Sequence, residues 1–79
     1  MNSSIRVYLF PDTANYIVNI SKGLLEEIGN NCNVKVEYFK RNYDSFFEIE
    51  GHFEQCHKAR ILLQDIEKNI YKYCYESKN

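Results

Sequence analysis

The stretch Ile17-Val18-Asn19-Ile20-Ser21-Lys22-Gly23-Leu24-Leu25-Glu26-Glu27-Ile28 decides how this chain is read. An apolar pair, Ile17 and Val18, is followed by a four-residue break, Asn19-Ile20-Ser21-Lys22. Leu25 and Ile28 then recur three apart, the spacing of one helical face. The pattern predicts two short helices, residues 14–18 and 23–28, joined by a turn over residues 19–22. Pro11-Asp12-Thr13 is a start signal for the first helix, with Asp12 or Thr13 free to cap backbone N–H groups. Ser21 is placed to cap the second helix, and Gly29-Asn30-Asn31 to end it, because Gly and Asn tolerate the left-handed conformation.

Outward from this stretch the chain alternates between strand and helix patterns. Residues 5–10 (IRVYLF) form a β-branched and aromatic run stopped by proline, read as a first strand. Residues 34–39 (VKVEYF) alternate apolar with polar as a half-buried strand does. Residues 40–45 are a polar loop, and residues 46–50 (FFEIE) a third strand closed by Gly51. Residues 53–75 read as one long helix. Its apolar stripe is Cys56, Ala59, Leu63, Ile66, Ile70 and Tyr73, and Lys58, Asp65, Lys68 and Lys72 fall opposite. The expected fold is α+β with order β-α-α-β-β-α, a three-stranded antiparallel sheet covered on one face by three helices.

Size and composition bound the function. Seventy-nine residues make one small domain, 1–79, which buries only about two-thirds of its unfolded surface. Residues 76–79 read as a frayed polar tail. Hydrophobic residues are 44% of the chain, seven Tyr and five Phe among them, enough for a core. No apolar run approaches the ~20 residues of a membrane span, and the first residues lack the pattern of a signal peptide. An intracellular, cytoplasmic setting with reduced thiols is expected for Cys32, Cys56 and Cys74, an odd count without metal-type spacing. The net charge of −1 departs from the basic balance common in nucleic-acid binders.

The element order, and three patches in register, resemble a type I K homology (KH) domain along nearly the whole chain. The patches are Phe10-Pro11 at the end of the first strand, the helix–turn–helix from Ile17 to Ile28, and Ile49-x-Gly51-x4-Cys56-x2-Ala59-x2-Leu62-Leu63. Counted from Ile28, Val36 and Tyr38 fall on the second-strand core positions. In the family the turn is Gly-x-x-Gly, whose glycines let the backbone approach four nucleotides. Here Asn19 and Lys22 occupy the glycine positions, and Ile20 and Ser21 lie between them. Asn visits left-handed conformations with modest cost. Lys22 places a long side chain where phosphate packs.

The resemblance therefore implies a non-enzymatic KH-like interaction module with a degenerate turn, in an RNA-regulatory protein. The leading expectation is contact with a protein partner or self-association, through Arg6, Tyr8, Ile61, Tyr71 and Tyr75. The alternative is weak or altered binding of single-stranded RNA or DNA through Asn19, Ile20, Ser21 and Lys22, with Lys35, Lys40, Arg41 and Tyr43. Tyr38 and Phe39 offer aromatic faces, and strand alternation sends Tyr38 to the core. If the turn alone is at fault, Asn19→Gly with Lys22→Gly restores affinity. His52 and Cys56 are four apart, a spacing used by metal ligands on a helix. The normal core position of Cys56 argues against that use. No catalytic set or phosphate-binding glycine loop is present. No metal, cofactor, small-molecule substrate or membrane contact is expected.

Overall fold

The computed structural model describes the backbone of residues 2–76 and the side chains of residues 2–72. Its elements are β1 (Asn2–Val7), α1 (Pro11–Asn15), α2, a π-helical turn (Tyr16–Ile20), α3 (Leu24–Cys32), β2 (Lys35–Lys40), β3 (Ser45–His52) and α4 (Phe53–Glu76). Because α1 and α2 run on without a break, the expected β-α-α-β-β-α order stands. The sheet order is β1-β3-β2, antiparallel throughout. β3 is therefore the central strand, and both β1 and β2 are edges.

Register follows the alternation of side chains. Val7, Phe47 and Tyr38 lie abreast on the helical side, and Ile5, Ile49 and Val36 lie abreast two residues on. Phe47 and Ile49 are fully buried. They share one core with Val7, Ala14, Ile17, Ile28, Cys32, Cys56, Ala59 and Leu63. Each buried large side chain contributes about 1.5–3 kcal/mol by leaving water. The expected stripe of the long helix faces this core. Cys56, Ala59 and Leu63 are buried, and Ile66 packs against them. Lys58, Asp65, Lys68 and Lys72 are exposed. Tyr73, Cys74 and Tyr75 have side chains outside the described residues, as do residues 77–79 of the expected tail. Glu76 closes α4.

Several boundaries differ from expectation for local reasons. β1 ends at Val7 and not at Phe10. The Phe10 N–H leaves the sheet and donates to Glu67 Oε2 of α4 at 2.7 Å, and the Phe10 ring meets Tyr71 edge-on at 5.4 Å. α4 outreaches the sheet, so its later turns are held by this junction. The first helix begins at Pro11, with Phe10 as its N-cap and Ala14 N–H donating to Phe10 O at 3.0 Å. Neither Asp12 nor Thr13 caps it; Thr13 is buried in the first turn. α3 runs past Gly29 to Cys32, and Asn33, at φ 55°, ends it. The Val34 N–H donates back to Gly29 O at 2.9 Å.

Gly29 sits inside α3 because the returning chain crosses it. A Cβ at Gly29 would lie 2.9 Å from Val34 O, a backbone atom that cannot swing aside. Gly29→Ala is therefore expected to destabilise the fold by about 1–3 kcal/mol, read as a lower urea midpoint with an unchanged slope.

Candidate nucleic-acid interface

The helical layer and β2 leave two clefts in line along the β2 edge. The first, of about 560 Å³, is floored by Leu9, Ala14, Val18 and Tyr38 and rimmed by Asn15, Asn19, Lys40 and residues 41–45. The second, of about 430 Å³, lies between α3 and β2, against Leu25, Glu26, Asn30, Val34 and Val36. Val34, Val36, Tyr38 and Lys40 alternate onto the same side of the strand. At ~3.3 Å per residue they span some ~20 Å. The turn between α2 and α3 stands between the two clefts and carries Gly23 into the second.

That turn differs from the expected one. A π-turn keeps the first helix going to Ile20, and Ser21 N–H donates to Tyr16 O at 2.8 Å, five residues back. Asn19 and Ile20 therefore belong to the helix, and only Ser21 and Lys22 of the expected four lie in the turn. Gly23 completes the turn at φ 90°, in the left-handed region, and is itself the N-cap of α3. Ser21 makes no side-chain cap; its carbonyl accepts from Leu24 N–H at 3.2 Å. Gly23, one residue beyond the expected turn, is thus the left-handed residue that leads into α3. The sequence signal was present, a glycine directly before Leu24-Leu25-Glu26-Glu27. The π-turn, which carries the helix on to Ile20, concealed its place. Glycine at position 19 would weaken this helical turn, a cost that the double change at positions 19 and 22 carries.

The structure brings together three of the four cations and aromatics named outside the turn. Lys40, Arg41 and Tyr43 line the first cleft, with Tyr43 fully exposed. Lys35 does not join them. It lies on the far face of the sheet, its Nζ 2.7 Å from Glu37 Oε1, and that hydrogen bond with the Glu37 charge holds its pKa above the ordinary lysine value. Phe39 also faces the far side. Tyr38 is half-buried, packs on Phe47 at 4.8 Å and shows part of its ring to the cleft. Lys22 and Lys40 form no ion pair with any described residue. Asp44 and Glu26 are the carboxylates in the two clefts. Asn15, overlooked in the sequence, is joined to Asn19 across the π-turn at 2.8 Å. Its signal was two asparagines four apart, on one helical face before the turn.

The residues expected at a protein interface do not form one patch. Arg6 and Tyr8 lie on the far face of the sheet, where Arg6 Nε is 4.0 Å from Glu48. Ile61 is exposed on α4, in the opposite layer. Tyr71 is half-buried against Phe10. The side chain of Tyr75 lies outside the described residues. His52 ends β3 and does not lie on a helix with Cys56. The Cys56 thiol is buried, 3.7 Å from Ile49 O and 3.8 Å from Ser3 O, which removes it as a ligand. Among the described residues no helix is long and apolar enough to cross a membrane.

The chain matches no protein-family profile and no curated protein sequence. It is similar in fold to the first KH type I domain of human vigilin, known from a solution structure. The TM-score is 0.77 at 16% identity, over 91% of this chain and 78% of that one. The architecture is a KH type I-like fold.

Two outcomes follow from the turn and from the buried thiol. Gly23→Val forces a β-branched residue into a left-handed backbone and should cost about 1–2 kcal/mol, whereas Gly23→Asn should cost less, in parallel urea titrations. Burial, reinforced by Glu50, raises the Cys56 thiol above its ordinary value of 9.0. The neutral thiol therefore stabilises the fold fully below the unfolded thiol's pKa, and that contribution falls as pH rises above it. Cys56→Ala should lose less stability than the wild type between about pH 8 and pH 10, by urea midpoint.

Proposed function

We propose that this chain is a non-catalytic KH-like interaction module that binds single-stranded RNA or DNA weakly, in the paired clefts along β2. The observation that carries this reading is an open apolar floor with Lys40 at its rim and Lys22 on the turn between the clefts, neither in an ion pair with a described residue. Leu9, Val18 and Tyr38 form a floor wide enough for unstacked bases. Lys22, on the turn, and Lys40, at the end of β2, flank the path of the backbone. A strand that lies there meets side chains instead of the two-glycine backbone clamp. Gly23 leaves the turn narrow, and Lys22 supplies a point charge to one phosphate. The amides of Asn15 and Asn19 offer donors and acceptors to base edges at the same rim.

Low affinity follows from the charges. Net charge is −1, and Asp44 and Glu26 stand in the clefts beside the cations. Few phosphates are neutralised, so the counterion contribution is small. This fits a copy that acts beside other binding modules in an RNA-regulatory, intracellular protein.

A second reading, contact with a protein partner or self-association, is favoured by one observation. β1 is an edge strand with Tyr8 exposed just beyond its end, and an open edge accepts a further strand. A monomer at millimolar concentration by light scattering, with no partner in a pull-down, removes this reading.

An NMR titration with pooled tetranucleotides tests the main proposal. Shifts should concentrate at Asn15, Val18, Lys22, Tyr38 and Lys40. Lys22→Gln with Lys40→Gln should weaken binding for every sequence and flatten the logarithmic salt slope by about 0.7 for each lysine removed. No shift in the clefts at millimolar oligonucleotide overturns the proposal.

A further inference from the structure

Phe46 and Phe47 are neighbours on β3 and so point to opposite faces of the sheet. Phe47 enters the core. Phe46 lies on the face that no helix covers, yet it is only 1% exposed. Its cover is local. The Phe39 ring stacks on it at 5.4 Å and 25°, and the Tyr8 ring lies 5.8 Å away. The Arg6 and Arg41 guanidinium carbons sit 4.3 and 4.9 Å from its centroid. Phe39 pairs with Phe46, and Val7 with Phe47, so Tyr8 stands in the same row. One aromatic row thus crosses all three strands, with two cations held over its centre.

The row's outer members remain available. Tyr8 is 58% exposed and Phe39 37%. The row also adjoins the clefts described above. The tight loop after β2, closed by Arg41 N–H donating to Asp44 O at 2.9 Å, turns Tyr43 and Lys40 to the first cleft and the Arg41 head to Phe46. A strand that leaves the cleft over this short loop arrives directly on the row. We propose that the row Tyr8, Phe46 and Phe39, with Arg6 and Arg41, is a second stacking platform for the same single-stranded RNA, which wraps over the β2–β3 loop.

This rests on the nucleic-acid reading of the clefts. The chemistry on the page favours a polynucleotide over a peptide. Planar rings and guanidinium groups are what bases and phosphates use, and no aliphatic side chain lies in the row. Glu37, Glu48 and Glu50 occupy the same face further from the loop, and Arg6 is shared with Glu48. Their charge ends the footprint there, so the platform holds only the bases nearest the loop.

The test compares an RNA decanucleotide with a tetranucleotide by fluorescence anisotropy, on the wild type and on Tyr8→Leu with Phe39→Leu. Leucine keeps Phe46 covered and removes the π faces; near-ultraviolet circular dichroism and the urea midpoint confirm folding. The variant should bind the decanucleotide about ten-fold more weakly and the tetranucleotide unchanged. Undiminished decanucleotide binding overturns the platform and leaves the clefts standing. Decanucleotide binding that the variant loses, with no tetranucleotide binding to the wild type, supports the platform and overturns the cleft reading. No binding of either length overturns both. A variant that loses self-association or a protein partner while RNA binding is unchanged assigns the row to protein and overturns the platform.

Discussion

Strand β3 is hydrogen-bonded along both edges, to β1 and to β2, and its inward side chains Phe47 and Ile49 share one core with Cys56, Ala59 and Leu63 of α4. Every other element is placed relative to that strand. The small residues Cys56 and Ala59 let the long helix lie close to the sheet, which fixes the two-layer spacing. The return of the chain from α3 to β2, under Val34, then sets β2 as the outer edge. The clefts exist because α1, α2 and α3 cover the core without reaching the rim of that edge strand.

The same strand organises the opposite face. Because side chains alternate along β3, a residue beside a core phenylalanine must face solvent. The chain supplies a second phenylalanine there and shields it with neighbours on both flanking strands. A small sheet with one uncovered face acquires a local cluster that stiffens it and ties the β2–β3 loop to β1. The loop is short, and Arg41 borders the cleft while its guanidinium lies over Phe46.

The turn is where the backbone departs from a plain helix–turn–helix. The π-turn carries the first helix on to Ile20, a feature frequent at functional sites. Ile17 remains in the core and Ile28 keeps its position. Between them the left-handed position falls at Gly23. Lys22 is exposed in the turn, just before it. The candidate site therefore sets the turn Ser21-Lys22-Gly23 on a β-α-α-β-β-α scaffold.

The element types, their order and the core-facing stripes were legible in the sequence, because apolar periodicity is a direct consequence of one-sided burial. Cys56, Ala59 and Leu63 announced the buried face of α4, and Val36 and Tyr38 announced that of β2. What periodicity cannot encode is hydrogen-bond phase and strand neighbourhood. A one-residue shift from α to π bonding leaves the composition of a helix unchanged, so Ser21-Lys22-Gly23 emerged as the turn only in three dimensions. Alternation along β2 sets Lys35 and Lys40 on opposite faces, and only the structure shows that one meets Glu37 and the other the cleft. Tyr8, Phe39 and Phe46 come from three separate segments, and antiparallel register makes them a row. The sequence by itself determined which surfaces are buried. The tertiary structure alone decided which exposed residues meet, because that depends on contacts between strands far apart in the chain.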